Sequence, residues 1–402
     1  MTAPPGAMAT REAAVPVMLE SRPEQVGPET AAADVLATDV TGLRASIDRA
    51  TDADVDRAVN ARRRDLADFA ALLSAPAAER LEELAQLASR TTVRRFGRTV
   101  RLYAPLYLSN ECVSVCTYCG FSAGNEIARR TLSVAEVGAE GAELRRRGLR
   151  HVLLVAGEHA RIVSKDYLVD CVAALAPTIP SISVEVQVWD TVTYRRLVAA
   201  GCEGLTVFQE AYDPVTYREV HLKGKKRNYL WRLAAPDRGA EAGMRKLGIG
   251  ALLGLHPDWR AEAIALAAHA RALNRRWWRC EVTVALPRLR PAAGGYQPDS
   301  PLADRDFVQL LCALRIVMPD VGINLSTRET PAFRDAVLGL GVTTMSAGSH
   351  TEPGGYAEPS EAEPQFEIAD TRSPAEVAAV LRTAGYDPVW MDVVPPRLGA
   401  DR

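Results

Sequence analysis

Three cysteines within eight residues are the part of this sequence best suited to chemistry. Cys112, Cys116 and Cys119 follow the spacing C-x3-C-x2-C. Thiolates are the ligands that iron–sulfur clusters prefer, and zinc binds them as well. Three thiolates leave one iron of a four-iron cluster without a protein ligand, and an open metal position can bind a substrate or cofactor. The triplet therefore indicates a metal centre with an open coordination site.

Two other uses of the triplet stay open on spacing alone. A structural zinc site takes four protein ligands, and His151 or His159 would have to supply the fourth. A redox pair formed by Cys116 and Cys119 would have to begin a helix in a much smaller fold, and it gives Cys112 no role.

The elements that position the triplet follow from an alternation that begins after Gly97. Apolar, β-branched runs without polar–apolar alternation predict strands buried on both faces, as in a parallel sheet. Helical patterns separate these runs, and eight strands with helical crossovers predict an α/β fold, a closed (β/α)8 barrel. An open doubly wound sheet is the competing topology. The predicted strands are 99–108, 151–156, 181–188, 204–208, 248–255, 281–286, 321–325 and 342–345. The predicted helices between them are 133–147, 164–175, 191–200, 229–247, 259–277, 304–317 and 331–338.

Polar residues follow nearly every predicted strand. In a barrel of this type the active site lies at the carboxyl ends of the strands. A polar terminator is ordinary for one strand, but the recurrence at eight strands predicts a polar mouth above an apolar barrel. These residues are Tyr107, Ser109, Asn110, Glu158, His159, Glu185, Gln187, Gln209, Glu210, His256, Arg288, Arg290, Thr327, Arg328, Glu329, Ser346 and Ser349.

Charge and hydropathy exclude several classes of protein. The net charge of −2 gives no global basic field for nucleic acid or an anionic membrane. No apolar run approaches the roughly 18 residues of a membrane span, and the N-terminus lacks the apolar core of a secretion signal. We therefore predict a cytoplasmic protein that binds neither nucleic acid nor membrane. The remaining cysteines are expected to be buried apolar side chains: Cys171, Cys202, Cys280 and Cys312.

The cysteine segment PLYLSNECVSVCTYCGF resembles the signature of the radical S-adenosylmethionine (SAM) superfamily, which has an aromatic residue before the third cysteine. The resemblance implies that Cys112, Cys116 and Cys119 hold a [4Fe-4S] cluster. SAM would chelate the fourth iron through its amino and carboxylate groups, and one electron would cleave it to methionine and a 5′-deoxyadenosyl radical. The barrels of this superfamily agree with the strand count.

Further segments resemble one family within that superfamily, the 2-iminoacetate synthases of thiamine biosynthesis. The resemblance implies cleavage of the Cα–Cβ bond of L-tyrosine to 2-iminoacetate (dehydroglycine) and p-cresol, with 5′-deoxyadenosine and methionine as co-products. A looser resemblance to tryptophan lyases of antibiotic biosynthesis keeps tryptophan or another aromatic amino acid as the alternative substrate. Between residues 35 and 394 the similar segments include PLYLSNECVSVCTYCGFSAGN, LLVAGEH, FQEAYDPVTY, HLKGKKRNYLWRLAAPDR, LPRLRP, LSTRE and PGGYAE.

The resemblance also implies roles for the polar residues at the strand ends. Glu158 would recognise the amino group of SAM, which a carboxylate contacts well. Arg328 would hold the substrate carboxylate with its planar guanidinium fork, and an ion pair with the adjacent Glu329 is the alternative. The position of Tyr118 before Cys119 predicts an aromatic ring beside the ligand of the open iron. The remaining expectations are Glu185 and Gln187 near the SAM ribose or carboxylate, and Tyr107 and Ser346 beside the substrate.

The resemblance and the sequence pattern also predict protein partners and the limits of the domains. A radical SAM enzyme implies an electron donor such as flavodoxin or ferredoxin, and thiazole synthase is a further candidate partner. The mildly basic run 221–228 predicts a solvated loop, or a docking site for such a partner. The expected segments are a disordered tail 1–34, a helical segment 35–97, a barrel 98–370 that includes a biotin- and thiamine-synthesis-associated region, and a C-terminal helix and tail 371–402.

Overall fold

Eight parallel strands close into a barrel within the residues that the structure, a computed structural model, describes: 26–298 and 300–391. Neighbouring strands follow the order β1, β3, β4, β5, β7, β8, β9, β10, and β10 pairs with β1 at Leu102 and Met345 to close the ring. The predicted barrel is confirmed, and the open sheet is wrong. The barrel strands are β1 (Thr99–Ser109), β3 (His151–Ala156), β4 (Ser181–Glu185), β5 (Gly204–Glu210), β7 (Lys246–Ala251), β8 (Glu281–Ala285), β9 (Gly322–Leu325) and β10 (Thr344–Ser346).

Helices surround the barrel in the alternation that the sequence predicts, and many begin at a side-chain cap. Ser133, for example, accepts the amide of Glu136 while Glu136 accepts the amide of Ser133, which satisfies two otherwise unpaired donors. The helices after β1 are α7 (Val134–Arg146), α8 (Lys165–Leu175), α9 (Thr191–Ala200), α10 (Pro214–Val220), α11 (Tyr229–Leu233), α12 (Ala235–Glu241), α13 (Trp259–Arg276), α14 (Asp304–Val317), α15 (Pro331–Val337) and α16 (Pro374–Thr383), counted after the six helices that precede β1.

The N-terminal helices pack on the outside of the barrel. The first of them begins at Ala31, so the predicted tail 1–34 is wrong for its last four residues. The amides of Ala31 and Ala32 donate to the carboxylate of Asp237 at 2.9 and 3.2 Å, which ties this helix to α12. Residues 1–25 of the predicted tail lie outside the described residues. The helices before β1 are α1 (Ala31–Ala37), α2 (Val40–Arg49), α3 (Asp52–Asn60), α4 (Leu66–Leu72), α5 (Ala75–Glu79) and α6 (Leu81–Phe96).

The segment predicted as one helix over 229–247 is divided instead. Helix α11 ends at Leu233, and α12 begins two residues later with Pro236 in its first turn. Proline has no amide hydrogen to continue the preceding helix. Gly243 then takes a φ of 101°, a left-handed conformation that glycine adopts easily, and β7 begins at Lys246.

The two ends of the barrel carry smaller additions. The predicted C-terminal helix is present as α16, and the strand β11 (Asp387–Val389) follows it and pairs in parallel with the start of β1. Residues 392–402 of the predicted tail lie outside the described residues. At the opposite end, β2 (Val115–Cys116) and β6 (His221–Lys223) form an antiparallel ribbon. No helix in the described part of the chain is long and apolar enough to span a membrane.

Candidate active site at the mouth of the barrel

The cysteine loop leaves the carboxyl end of β1 and is fastened at both ends. Asn110 is fully buried, and its side-chain amide donates to the carbonyl of Ala128 at 2.8 Å and accepts the amide of Arg130 at 2.7 Å. Arg129 donates to the carbonyls of Phe121 and Ser122 at 2.9 and 2.8 Å. The loop is therefore held in one conformation by hydrogen bonds from residues that follow it.

Two glycines allow the loop to approach its neighbours closely. A Cβ at Gly157, just after β3, would overlap the carbonyl of Glu111, and one at Gly120 would overlap the carbonyl of Gln365. Both positions accept only glycine without a shift of backbone. The loop is thus packed against β3 on one side and against the segment around Gln365 on the other.

The three thiols form a site that favours a cationic metal group. Burial, with the neighbouring Cys119 as the second cause, raises the pKa of Cys112 to about 11. Burial also raises the pKa of Cys116, and Lys226 opposes that rise. Cys119 packs in one apolar cluster with Cys116 and in another with Cys112. Bound iron would offset the cost of ionising these thiols because it binds the thiolate form. The donor set therefore fits an iron–sulfur cluster.

The zinc alternative has little support from the positions of the histidines. His151 begins β3, so it lies at the amino end of the barrel, whereas the cysteines lie at the carboxyl end. His159 is on the correct side, but its Nδ1 accepts the amide of Ile162 at 3.3 Å.

The antiparallel ribbon supports the middle cysteine. Cys116 of β2 pairs with His221 of β6, and the Tyr118 hydroxyl lies 2.8 Å from Nε2 of His221. The other ring nitrogen, Nδ1, lies 2.7 Å from the carbonyl of Tyr217. Burial lowers the pKa of His221 well below its usual value, so the ring is neutral, Nδ1 donates to the carbonyl and Nε2 accepts from Tyr118. The solvated loop predicted at 221–228 is therefore wrong at His221, which is fully buried.

Buried ion pairs lie beneath the cysteine loop. Glu158 accepts the hydroxyl of Ser114 and a guanidinium nitrogen of Arg232, both at 3.2 Å. Lys226 donates to Glu210 at 2.7 Å. Glu210 ends β5 with a φ of 71°, and no other non-glycine residue in 26–298 or 300–391 has a positive φ. A carboxylate held in this rare conformation is typical of a functional site.

A cavity in the barrel brings four predicted residues together: Tyr107, Glu185, Arg328 and Ser346 line it. Burial, with the nearby Glu210 as the second cause, raises the pKa of Glu185 to about 7. Gln187 is also buried, outside this lining, and its Nε2 has no hydrogen-bond partner in the described structure. Such an atom favours a polar ligand at that position.

Arg328 lines this cavity and has no carboxylate ion pair within 26–298 and 300–391, whereas Arg101 and Lys246, which also line it, are paired with Glu281 and Glu203. Its guanidinium carbon lies 3.4 Å from the centroid of the Phe366 ring. The adjacent Glu329 binds Arg288 instead, and Arg288 also contacts Asp304 at 2.6 Å. The predicted alternative, an ion pair between Arg328 and Glu329, is therefore wrong. Burial lowers the pKa of Arg328, which reflects the cost of keeping this charge out of water.

One side-chain relay connects the cavity with the cysteines. Tyr107 donates its hydroxyl hydrogen to Oε1 of Gln365 at 2.8 Å, and Nε2 of Gln365 lies 3.8 Å from the sulfur of Cys119. Gln365 was not predicted from the sequence. It lies in a loop with no motif of its own, and only its three-dimensional neighbours reveal it.

Ser346 lines the cavity and also holds the turn that follows β9. Its hydroxyl accepts the amide of Thr327 at 3.0 Å, and its carbonyl accepts a guanidinium nitrogen of Arg334 at 2.5 Å. Arg334 is itself paired with the buried Asp370. Ser346 therefore fixes the turn that carries Arg328, in addition to lining the cavity.

Comparison with known proteins agrees with this geometry. The radical SAM superfamily model matches residues 106–267, and the biotin and thiamin synthesis associated domain matches 285–387. The chain is 45% identical to 2-iminoacetate synthase of Escherichia coli (strain K12) over 350 residues, which covers 87% of this chain and 93% of that protein. The corresponding protein of Salmonella typhimurium is 43% identical over the same shares.

Solved structures show the same architecture. The [FeFe]-hydrogenase maturase HydG superposes with a TM-score of 0.83 at 33% identity, covering 88% of this chain and 79% of HydG. Methylornithine synthase superposes with a TM-score of 0.69 at 21% identity, covering 84% of this chain and 97% of that protein, which shows a shared fold. Radical SAM enzymes carry a [4Fe-4S] cluster and bind SAM, and the cysteine loop has the donor set for them. The chain belongs to the 2-iminoacetate synthase family of radical SAM enzymes.

Proposed function

We propose that this protein is a radical SAM lyase that cleaves the Cα–Cβ bond of L-tyrosine to 2-iminoacetate and p-cresol, for thiazole formation in thiamine biosynthesis. One observation carries the proposal. Arg328 is a half-buried cation without a carboxylate partner in the described structure, in a cavity linked to Cys119 through Gln365. A guanidinium in that setting binds a carboxylate strongly, because the pair is shielded from water.

The cysteine loop would hold the cofactors. When bound, the cluster and SAM supply a 5′-deoxyadenosyl radical that abstracts a hydrogen atom from the substrate. Cys112, Cys116 and Cys119 would hold the cluster, and Tyr118, which packs with Cys116 and Cys119, would shield it. Glu158 has accepted two hydrogen bonds from protein groups and retains capacity for the ammonium of SAM.

Gln187 has a free donor for the carboxylate or ribose of SAM. Its side-chain nitrogen is buried and unpaired in the described structure. A bound polar oxygen would therefore remove the cost of that unsatisfied group.

The cavity would bind the amino acid by its two charged groups. Arg328 contacts the carboxylate, and Glu185 on the facing strand β4 supplies the opposite charge for the ammonium, a reassignment of Glu185 from cofactor to substrate. Binding an ammonium favours the ionised form of Glu185, whose pKa burial has raised to about 7. Tyr107 and Gln365 line the same cavity, and Gln365 contacts Cys119, so these two side chains would orient the substrate toward the cysteine loop.

The experiment uses anaerobic protein with a reconstituted cluster, SAM, a reductant and either tyrosine or tryptophan. We expect p-cresol and 2-iminoacetate-derived glyoxylate from tyrosine, and no cleavage product from tryptophan. Tyrosine that gives only uncoupled 5′-deoxyadenosine, while tryptophan is consumed, would show that the substrate is wrong. Absence of SAM cleavage with any aromatic amino acid would contradict the lyase assignment itself.

We also propose that the reductant is flavodoxin or ferredoxin and that the protein works in the cytoplasm. In addition, we propose that the product passes to thiazole synthase in a complex. The reactive imine supports this last proposal, because direct transfer protects it from hydrolysis. Co-elution of the purified protein with thiazole synthase under anaerobic conditions tests it, and separate elution at micromolar concentrations of both would contradict it.

A further inference from the structure

An apolar and basic surface lies directly over the cysteine loop. Half of the eight large apolar side chains that are exposed in the described part of the chain belong to segments at this loop. Val113 lies between the first two cysteines and is 44% exposed, and Leu222 of β6 is 50% exposed. Ile162 lies in the loop after β3, and Val215 lies in α10, which leads directly into β6.

Backbone contacts join these segments into one surface. The amide of Val113 donates to the carbonyl of Glu158 at 2.9 Å, which connects the cysteine loop with the loop that carries Ile162. The antiparallel ribbon pairs Val115 with Lys223. Next to that pair, Gly224 approaches Ser114 so closely that a Cβ would overlap it. We call this surface, defined by Val113, Ile162, Leu222, Lys223 and Lys225, the ribbon face.

The ribbon face is basic in a chain that is slightly acidic overall. Five basic residues and no acidic one occur between positions 220 and 236, although the whole chain has a net charge of −2. Lys223 and Lys225 are exposed, and neither has an ion-pair partner among residues 26–298 and 300–391. Lys226 differs, because it points inward to Glu210. The nearest exposed carboxylate along the chain is Glu219 in α10.

We infer that the ribbon face is the docking site of a small acidic protein that delivers one electron to the cluster. The inference rests on the proposed function, which requires a one-electron reductant. Exposed apolar side chains flanked by unpaired cations match the centre and rim of a transient protein interface. The unpaired lysines attract an acidic carrier and speed its encounter. In the transfer the carrier loses one electron and the cluster gains it, with no bond made or broken.

The location favours an electron carrier over other acidic partners. Cys116 belongs to β2, one strand of the ribbon, and Val113 directly follows Cys112. A carrier bound here is therefore separated from the cluster ligands by a single strand. A partner enzyme that receives the product has no need of this position, because the substrate cavity lies within the barrel and is linked to Cys119 through Gln365.

The charge test reverses two lysines of the ribbon face together, in the variant Lys223→Glu/Lys225→Glu. The matched control, Arg62→Glu/Arg63→Glu, makes the same charge change at two exposed arginines of the N-terminal helical segment. Cluster reduction is followed by electron paramagnetic resonance (EPR), with an acidic flavodoxin hydroquinone or with photoreduced deazaflavin, an uncharged small molecule. At low salt we expect the flavodoxin rate of the lysine variant to fall about tenfold, because steered encounter depends on charge. The deazaflavin rate, and both rates of the control, should stay unchanged.

The apolar test replaces Leu222 with serine and uses Val192→Ser as its control. Val192 is 65% exposed at the start of α9, away from the ribbon. At high salt, where charge is screened, we expect the rate of cluster reduction by flavodoxin to fall severalfold for Leu222→Ser. The rate for Val192→Ser should not change.

The outcomes separate this inference from the proposed function. Equal flavodoxin rates in the lysine variant, its control and the native protein would overturn the docking site, whether or not tyrosine is cleaved. Loss of binding to thiazole synthase or to anionic vesicles, with flavodoxin reduction intact, would assign the face to that partner and also overturn it. Failure of tyrosine cleavage leaves the cluster-reduction assay in place, since it needs no substrate.

Discussion

The two sides of the barrel mouth differ in how their charges are satisfied. The cysteine side comprises the cysteine loop and the four charged residues beneath it. Each of these charges has an opposite partner: Glu158 pairs with Arg232, and Glu210 pairs with Lys226. On the arginine side, which comprises Arg328 with Glu185, Gln365 and Phe366, Arg328 has an aromatic neighbour but no carboxylate ion pair in the described structure. Paired charges make a preformed support, whereas an unpaired one leaves affinity for a ligand.

This difference agrees with what each side must bind. The cluster and SAM are needed in every turnover, and their site gains from rigidity. The substrate enters and leaves, and its site has a cation without a carboxylate partner in the described structure and a carboxyl whose pKa of about 7 lets its charge follow ligand binding. Variants on the cysteine side should therefore affect cofactor retention, and variants on the arginine side should affect substrate use.

The largest effect is expected from Cys116→Ala. One thiolate fewer leaves the cluster with two protein ligands, so we expect loss of the cluster and a fall of SAM cleavage to background. Iron and sulfide content and 5′-deoxyadenosine formation measure both. Cys280→Ala is the control, because Cys280 lies just before β8 and takes no part in the site. A Cys116→Ala protein that still cleaves SAM would contradict the cluster assignment.

A large effect of a different kind is expected from Arg328→Met. Loss of a buried, charge-assisted contact to the substrate carboxylate costs about 3 kcal/mol, or about 100-fold in kcat/KM for tyrosine. Arg328→Lys should recover only part of this loss, because an ammonium cannot form the bidentate contact. Iron content and SAM affinity should remain native. Loss of the cluster in Arg328→Met would show that the two sides are not separate.

Much of this arrangement follows from patterns along the chain, because the barrel strands are buried on both faces. Continuous apolar runs therefore mark them, and β3 has the predicted limits residue for residue. Pro236 also marks the division of 229–247, because proline cannot continue a helix, whereas the apolar period alone predicts one helix. The family resemblance, rather than the pattern, supplied SAM and tyrosine.

The buried charges of the cysteine side did not follow from sequence. Lys226 lies in a polar run that is typical of a solvated loop, and nothing local distinguishes it from the exposed Lys225. Its burial arises because β6 pairs with β2; Tyr118 and His221, which contact across this ribbon, are 103 positions apart. Only the tertiary pairing decides which lysine faces inward.

The support on the cysteine side can be tested through Lys226→Met. Burial alone would raise the pKa of Glu210, but Lys226 and Arg232 hold it below its usual value. Removing Lys226 leaves that carboxylate buried and less compensated, which should lower the free energy of unfolding by about 3–5 kcal/mol. Anaerobic urea denaturation measures this change.

The same experiment has an internal and an external control. The double variant Glu210→Gln/Lys226→Met should recover a part of the loss, because no uncompensated charge remains. Arg195→Met breaks the exposed pair with Glu241, whose nitrogen and oxygen are 3.1 Å apart, and should cost less than about 1 kcal/mol. Equal losses for Lys226→Met and Arg195→Met would show that the cysteine side is not the rigid support inferred from its pairing.

The smallest effect is expected from Glu185→Gln, as a change in how the free energy of unfolding depends on pH. Burial, with Glu210 second, raises the pKa of Glu185 from 4.5 to about 7 in the folded protein. A raised carboxyl pKa means that the folded state holds the proton more tightly, so stability from this group is lost as pH rises from 4.5 through 7. Between pH 5.5 and 8 this loss is about 2 kcal/mol, and Glu185→Gln should remove it. The unfolding free energy of the variant minus that of the native protein should therefore grow with pH.

The control is Glu358→Gln, at an exposed carboxylate, which should leave the pH profile native. A Glu185→Gln profile parallel to the native one would mean that Glu185 is already ionised without substrate, and the arginine side would then hold a paired charge like the cysteine side.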